Sequence, residues 1–83
     1  MYIKSDIRRD KIGVSYRPLW IELAKREMGK VEFQEYVGIS GNLLAKLGKN
    51  DYISMRNLEQ ICRKMKLSPN EVIEFKEEEK NDN

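Results

Sequence analysis

The stretch FQEYVGISGNLLAKL, residues 33–47, carries the strongest structural signal in this 83-residue chain. Val31 to Val37 fits a short helix with Phe33, Tyr36 and Val37 on its apolar side. Gly38 stops it, because the left-handed residue that ends a helix favours glycine. Ile39 follows, and Ser40 is placed to cap a further helix running to about Lys49. Two short helices joined by a glycine-containing three-residue turn make a helix-turn-helix unit. The unit holds a fixed angle only if Phe33, Val37, Ile39, Leu44 and Leu47 turn inward and Gly38 permits the tight turn. All six positions comply. On a helical wheel Leu44 and Leu47 share the inner side of the later helix, and Asn42, Ala45, Lys46 and Lys49 share the outer one.

Working outward, a preceding helix starts at Pro18, whose missing N–H costs nothing in a first turn. Leu19, Trp20, Leu23, Ala24 and Met28 follow its buried face, Ile21 lies off that stripe, and Gly29 ends it. After the unit, Asn50-Asp51 reads as a turn. Ser54 caps a fourth helix with core positions Met55, Leu58, Ile61, Cys62 and Met65. Ser68-Pro69-Asn70-Glu71 combines a capping box with proline at the first helical position, and predicts a fifth helix carrying Val72, Ile73 and Phe75. The expectation is an all-α body of five helices over residues 17–76. It is preceded by an arm or short strand at 1–16 and followed by an acidic tail at 77–83. No internal repeat of 20 residues or more is present.

Composition removes several function classes. A chain this short buries about 60–65 % of its unfolded surface, enough for one small core. No run approaches the roughly 20 apolar residues of a membrane helix. Asp6, Arg8, Arg9 and Asp10 interrupt any signal-peptide core. Histidine is absent and Cys62 is the sole cysteine, so four-ligand zinc sites and histidine-assisted nucleophiles cannot be assembled. Cys62 reads as a buried, inert thiol, and a cytoplasmic location is expected. No cofactor or small-molecule ligand is implied, and an enzyme is not expected; only carboxylate chemistry remains conceivable on this inventory. Charge is uneven: residues 1–30 carry +4, 31–50 are neutral, 51–70 carry +2 and 71–83 carry −4. A body at +6 suits a polyanionic partner.

A short helix with small, amide and basic residues outward meets the demands of a major-groove reader. Here the sequence resembles the phage-repressor and Cro type of helix-turn-helix domain, the Xre family, from about Tyr16 to Phe75. The likeness lies in YRPLW, VGIS, NLLAKL, SMRNLEQIC and LSPNEVIEF, in that order and spacing. The resemblance implies Gly41, Asn42, Ala45 and Lys46 as base-facing positions, with Lys30 and Lys49 at phosphates. Asn42 would pair with adenine, Lys46 would reach guanine acceptors, and Leu43 would flank a thymine methyl. Two positions depart from the family pattern. Gln34 stands where a small residue is usual, so its amide turns outward or the helix pair is wider. Gly41 stands where many relatives carry a long polar reader, leaving a lean recognition surface. Arg8, Arg9 and Lys11 offer either a minor-groove arm or part of a structural or dimer-forming strand. The expected function is a sequence-specific double-stranded DNA-binding transcriptional regulator, a repressor, acting as a homodimer on half-sites about one helical turn apart. The competing expectation is a protein-interaction module of the same fold, an antitoxin-like subunit or adaptor.

Overall fold

Serine and proline signals set most of the element starts in the computed structural model of the chain, which describes residues 13–76. Strand β1 (Gly13–Ser15) leads into helix α1 (Arg17–Lys25), then α2 (Lys30–Val37), α3 (Gly41–Gly48) and α4 (Met55–Met65). A single 3₁₀ turn (Pro69–Glu71) and strand β2 (Glu74–Lys76) follow. Pro18 lies in the first turn of α1. The Ser40 and Ser54 hydroxyls each accept a backbone N–H three residues on, from Leu43 and Asn57, at 3.0 Å. Each such cap is worth about 1 kcal/mol.

Helix α1 stops four residues before the expected Gly29. Arg26 is its C-cap and Glu27 takes the left-handed conformation at φ 55°. Glu27 N–H donates to Ala24 O (3.1 Å) and Met28 N–H to Leu23 O (2.9 Å), which satisfies the terminal carbonyls and turns Met28 back onto the core. A non-glycine residue in that conformation costs about 1–2 kcal/mol, so sequence reading passes over it. Gly29 is instead the extended N-cap of α2.

The fifth helix of the sequence reading is corrected. The capping box forms as read, with Ser68 N–H donating to Glu71 Oε1 at 2.9 Å, yet it starts only three residues of 3₁₀ helix. Beyond Val72 the chain is extended, and Glu74–Lys76 pairs antiparallel with Gly13–Ser15 in the register Gly13↔Lys76, Val14↔Phe75, Ser15↔Glu74. Val72, Ile73 and Phe75 are β-branched or aromatic and favour a strand once a partner strand is available. The domain is therefore not all-α. Among the described residues there are four α-helices and a two-stranded sheet that pairs Gly13–Ser15 with Glu74–Lys76. The residues of the expected acidic tail (77–83), and Arg8, Arg9 and Lys11, lie outside the described residues.

The core is built from Val14, Tyr16, Leu19, Leu23, Phe33, Val37, Ile39, Leu43, Leu47, Leu58, Ile61, Met65, Leu67 and Val72. The buried stripe runs from Ile39, just before α3, to Leu43 and Leu47 on it, each four residues apart, with Leu44 half-buried at its edge. This corrects the expectation for Leu43: it is the more deeply buried of the pair and cannot reach a thymine methyl, while Leu44 packs against the core from a half-buried position. Met55, Tyr36 and Phe75 are exposed, as is Ala24, because each stripe is narrower than its apolar residues suggest. Trp20, Met28 and Cys62 pack against the core from partly buried positions.

One pH effect follows from the 3₁₀ turn. Hydrogen bonds from the Ser68 backbone N–H and then its side chain hold the Glu71 carboxyl below the ordinary value. A depressed folded value contributes stability above the unfolded carboxyl pKa, and that contribution is lost as pH falls through the folded value. Wild type should thus outlast Glu71→Gln in urea at pH 7, and the gap between their midpoints should narrow toward pH 3.

Candidate nucleic-acid interface

The turn between α2 and α3 is fixed from three directions. Gly38 adopts φ 84°, ψ 34°, and its N–H donates to Gln34 O at 2.9 Å. Ile39 N–H donates to the same carbonyl at 3.2 Å while its side chain is buried. From α4, Gln60 Nε2 donates to Val37 O (3.1 Å) and Gly38 O (3.4 Å), occupying carbonyls that the end of α2 leaves open. The sequence reading missed Gln60, since its partners lie 23 and 22 residues away and no local pattern announces them. Gln60→Ala should lower the stability measured by urea unfolding by about 1 kcal/mol, the net worth of a typical intramolecular hydrogen bond.

The far end of α3 is tied down as well. Asp51 N–H donates to Lys46 O at 2.9 Å, and Asn50 takes the left-handed conformation at φ 59°. Asn50 Oδ1 accepts the Tyr16 N–H at 3.1 Å, and the Tyr16 hydroxyl donates to Asp51 O. Burial, with Asp51 and Tyr52 nearby, pushes the Tyr16 hydroxyl above its ordinary pKa, which keeps it a donor. The start of α1 thereby holds the end of α3. Asn50-Asp51 is legible as a turn, whereas its tie to Tyr16 depends on the tertiary fold.

Between these two anchors α3 presents Gly41, Asn42, Ala45, Lys46 and Gly48 to solvent, with Lys49 exposed at its C-cap. No acidic residue lies in its first turn. Gln34 is half-buried, and its amide nitrogen lies 3.7 Å from where a Cβ on Gly41 would stand. The long side chain that departs from the pattern thus lies beside the residue that lacks one. Ordinary van der Waals contact there means that Gly41 is not required by crowding.

Lys30 and Lys49 occupy different parts of the unit, at the first residue of α2 and the C-cap of α3. The Lys30 ammonium sits 4.3 Å from the centroid of the Trp20 ring. A cation at a helix N-terminus is opposed by the helix dipole, and the aromatic face offsets that cost. Among the described residues, no group of three or more His, Cys, Asp or Glu side chains could hold a metal ion. None of the described helices is long and apolar enough to cross a membrane.

The sequence pattern of the Cro/C1-type helix-turn-helix DNA-binding domain matches residues 18–78. The chain belongs to this family. The Cro/C1-type domain here is 38 % identical over 61 residues to YozG of Bacillus subtilis (strain 168), an uncharacterized HTH-type transcriptional regulator. That match spans 71 % of this chain and 73 % of YozG. The crystal structure of the transcriptional regulator VanUg (Form II) superposes with a TM-score of 0.75 at 39 % identity. The superposition covers 83 % of this chain and 91 % of that one. The Xre resemblance in the sequence and the Cro/C1-type match agree on the family.

Proposed function

We infer that the protein is a sequence-specific double-stranded DNA-binding transcriptional regulator, acting as a repressor, that reads the major groove with α3. The observation that carries this reading is the exposed face of Gly41, Asn42, Ala45 and Lys46 on a helix anchored at both ends by buried contacts and tertiary hydrogen bonds. Asn42 pairs with adenine, Lys46 reaches guanine acceptors, and Gly41 and Ala45 let the helix backbone approach the base edges. Lys30 and Lys49 meet phosphates on either side and set register without reading sequence. YozG and VanUg are both transcriptional regulators by name, which supports the same reading. Repression follows from operator occupancy blocking polymerase, and a homodimer matches two half-sites about one helical turn apart.

Selection of the purified chain against random duplex DNA at moderate salt tests this reading. The expected result is a two-fold symmetric motif whose affinity falls steeply with salt, each neutralised phosphate adding about −0.9 to the log–log slope. Recovery of no motif overturns the regulator in favour of a protein-interaction module.

A further inference from the structure

Two glutamines flank the turn of the helix-turn-helix unit, and the fold ties down the amide of only one. Gln60 commits its side chain to the carbonyls of Val37 and Gly38. The Gln34 amide makes no hydrogen bond among the described residues, although the residue is half-buried. Its backbone is fixed all the same, since the Gln34 carbonyl accepts the N–H groups of Gly38 (2.9 Å) and Ile39 (3.2 Å). From that anchored position on α2 the side chain runs to the first residue of α3, where its amide nitrogen lies 3.7 Å from the place of a Gly41 Cβ. Apart from Gly41's own neighbours in the chain, no other side chain of the described residues comes within 4 Å of that place. At the start of α3, where Gly41 has no side chain to offer, the polar group at hand therefore belongs to α2.

The chemistry of that group identifies what it would meet. A glutamine amide holds one acceptor oxygen and two donor hydrogens, the set that pairs with both major-groove groups of adenine, N7 and N6. The N-terminal residues of a recognition helix are the ones that meet base edges, while the preceding helix crosses the backbone. Gln34 follows Lys30 by four residues, about 6 Å along α2, so a cation and an amide lie on the same side of that helix. In the free chain water can serve the half-buried amide. A DNA surface closing on α3 displaces that water, and the amide then finds a partner or stays unsatisfied. A base pair that presents matching groups is favoured over one that does not. We propose that Gln34, on α2 and not on the recognition helix, is a base-reading residue that stands in for the side chain Gly41 lacks, and that it reads an adenine facing the start of α3. The proposal deepens the regulator reading and rests on it, since it needs α3 in the major groove.

Selection of the full chain from random duplex DNA, with Gln34 variants in parallel, provides the test. Gln34→Ala should keep the rest of the wild-type motif and lose an adenine preference at one position of each half-site, about tenfold in relative affinity, the scale of one bidentate base contact. Asn42→Ala should lose a different position. Gln34→Glu keeps the shape of the side chain but only accepts hydrogen bonds, so the preference at the Gln34 position should move from adenine to cytosine, whose N4 amino group donates. Gln34→Ala combined with Gly41→Gln returns an amide to the same place from α3 and should restore the adenine. A residue that merely spaced the two helices would give neither the switch nor the rescue. Circular dichroism and urea unfolding check that each variant is folded. Three results overturn the proposal and leave α3 as the reader: a Gln34→Ala motif identical to wild type, an affinity loss equal for every sequence, or a loss confined to the Asn42 position. A wild type that selects no motif is a separate failure, which removes the regulator reading and the role of Gln34 with it.

Discussion

Phe33→Ala should cost about 3–5 kcal/mol of folding stability, the usual range for removing a fully buried phenylalanine. The ring is completely buried in the core, on the helix that begins the helix-turn-helix unit. Two effects add: the transfer free energy of the lost ring, and the cavity left where α2 cannot collapse without pulling Gly38 out of its turn. A chain of this length is stable by only about 4–12 kcal/mol, so the loss takes a large share of the total. The thermal midpoint should fall by at least about 12 °C, at roughly 4–8 °C per kcal/mol for a domain of this size. Val31→Ala, two residues earlier and 65 % exposed, should change stability by no more than about 0.5 kcal/mol. Thermal and urea unfolding followed by circular dichroism make the comparison. A loss below about 1 kcal/mol at Phe33 would show that α2 is not held by this side chain.

That contrast shows which parts of the fold are local enough to read. Ser40, Ser54, Gly38 and Pro18 act within three or four residues of themselves, and each does in the structure what its position announces. The capping box at Ser68 is equally local and equally real, but it specifies a start and not a length. The length is decided by β1, some sixty residues earlier in the chain, which offers Val72 to Lys76 an alternative to helix. Left-handed Glu27 is illegible for a different reason: an unfavourable residue is held there by the Met28 and Leu23 contacts around it. At the interface the outward positions could be read from helical phase, since Asn42, Ala45, Lys46 and Lys49 are opposite any inner stripe on α3. The depth of Leu43 was not legible, because two adjacent leucines that both pack on the core leave the phase free by one residue. What fixes it is Ile39, four residues before Leu43, once the turn has folded. Gln60, Asn50 and Tyr16 hold the two ends of α3 through contacts 22 to 35 residues apart, and such pairings have no signature in the chain.

Replacing Asn42 and Lys46 together by alanine should abolish sequence preference while leaving weak, unselective DNA binding. Each good base contact is worth about 1–3 kcal/mol of discrimination, so the pair accounts for about 2–6 kcal/mol. Specific sites exceed non-specific DNA by about 4–10 kcal/mol in proteins of this kind, and a lean reading face leaves few other residues to share that difference. Both side chains are exposed, so the double variant should unfold within about 0.5 kcal/mol of wild type. Lys30 and Lys49 remain in it, and with them most of the electrostatic attraction. A separate Lys49→Ala variant should show the complementary behaviour: the same preferred sequence, uniformly weaker binding, and a log–log salt slope shallower by about 0.9. Gly41→Gln provides a gain in the opposite direction. A Cβ there meets the Gln34 amide only at 3.7 Å, and the backbone is not left-handed, so a long polar side chain can be carried at the start of α3. It should add or alter preference at one base pair of the half-site without disturbing the fold. Fluorescence anisotropy on the selected motif and on a scrambled duplex, across a salt series, distinguishes these outcomes. If the Asn42 and Lys46 double variant keeps the wild-type base preference, α3 is not the element that reads the DNA.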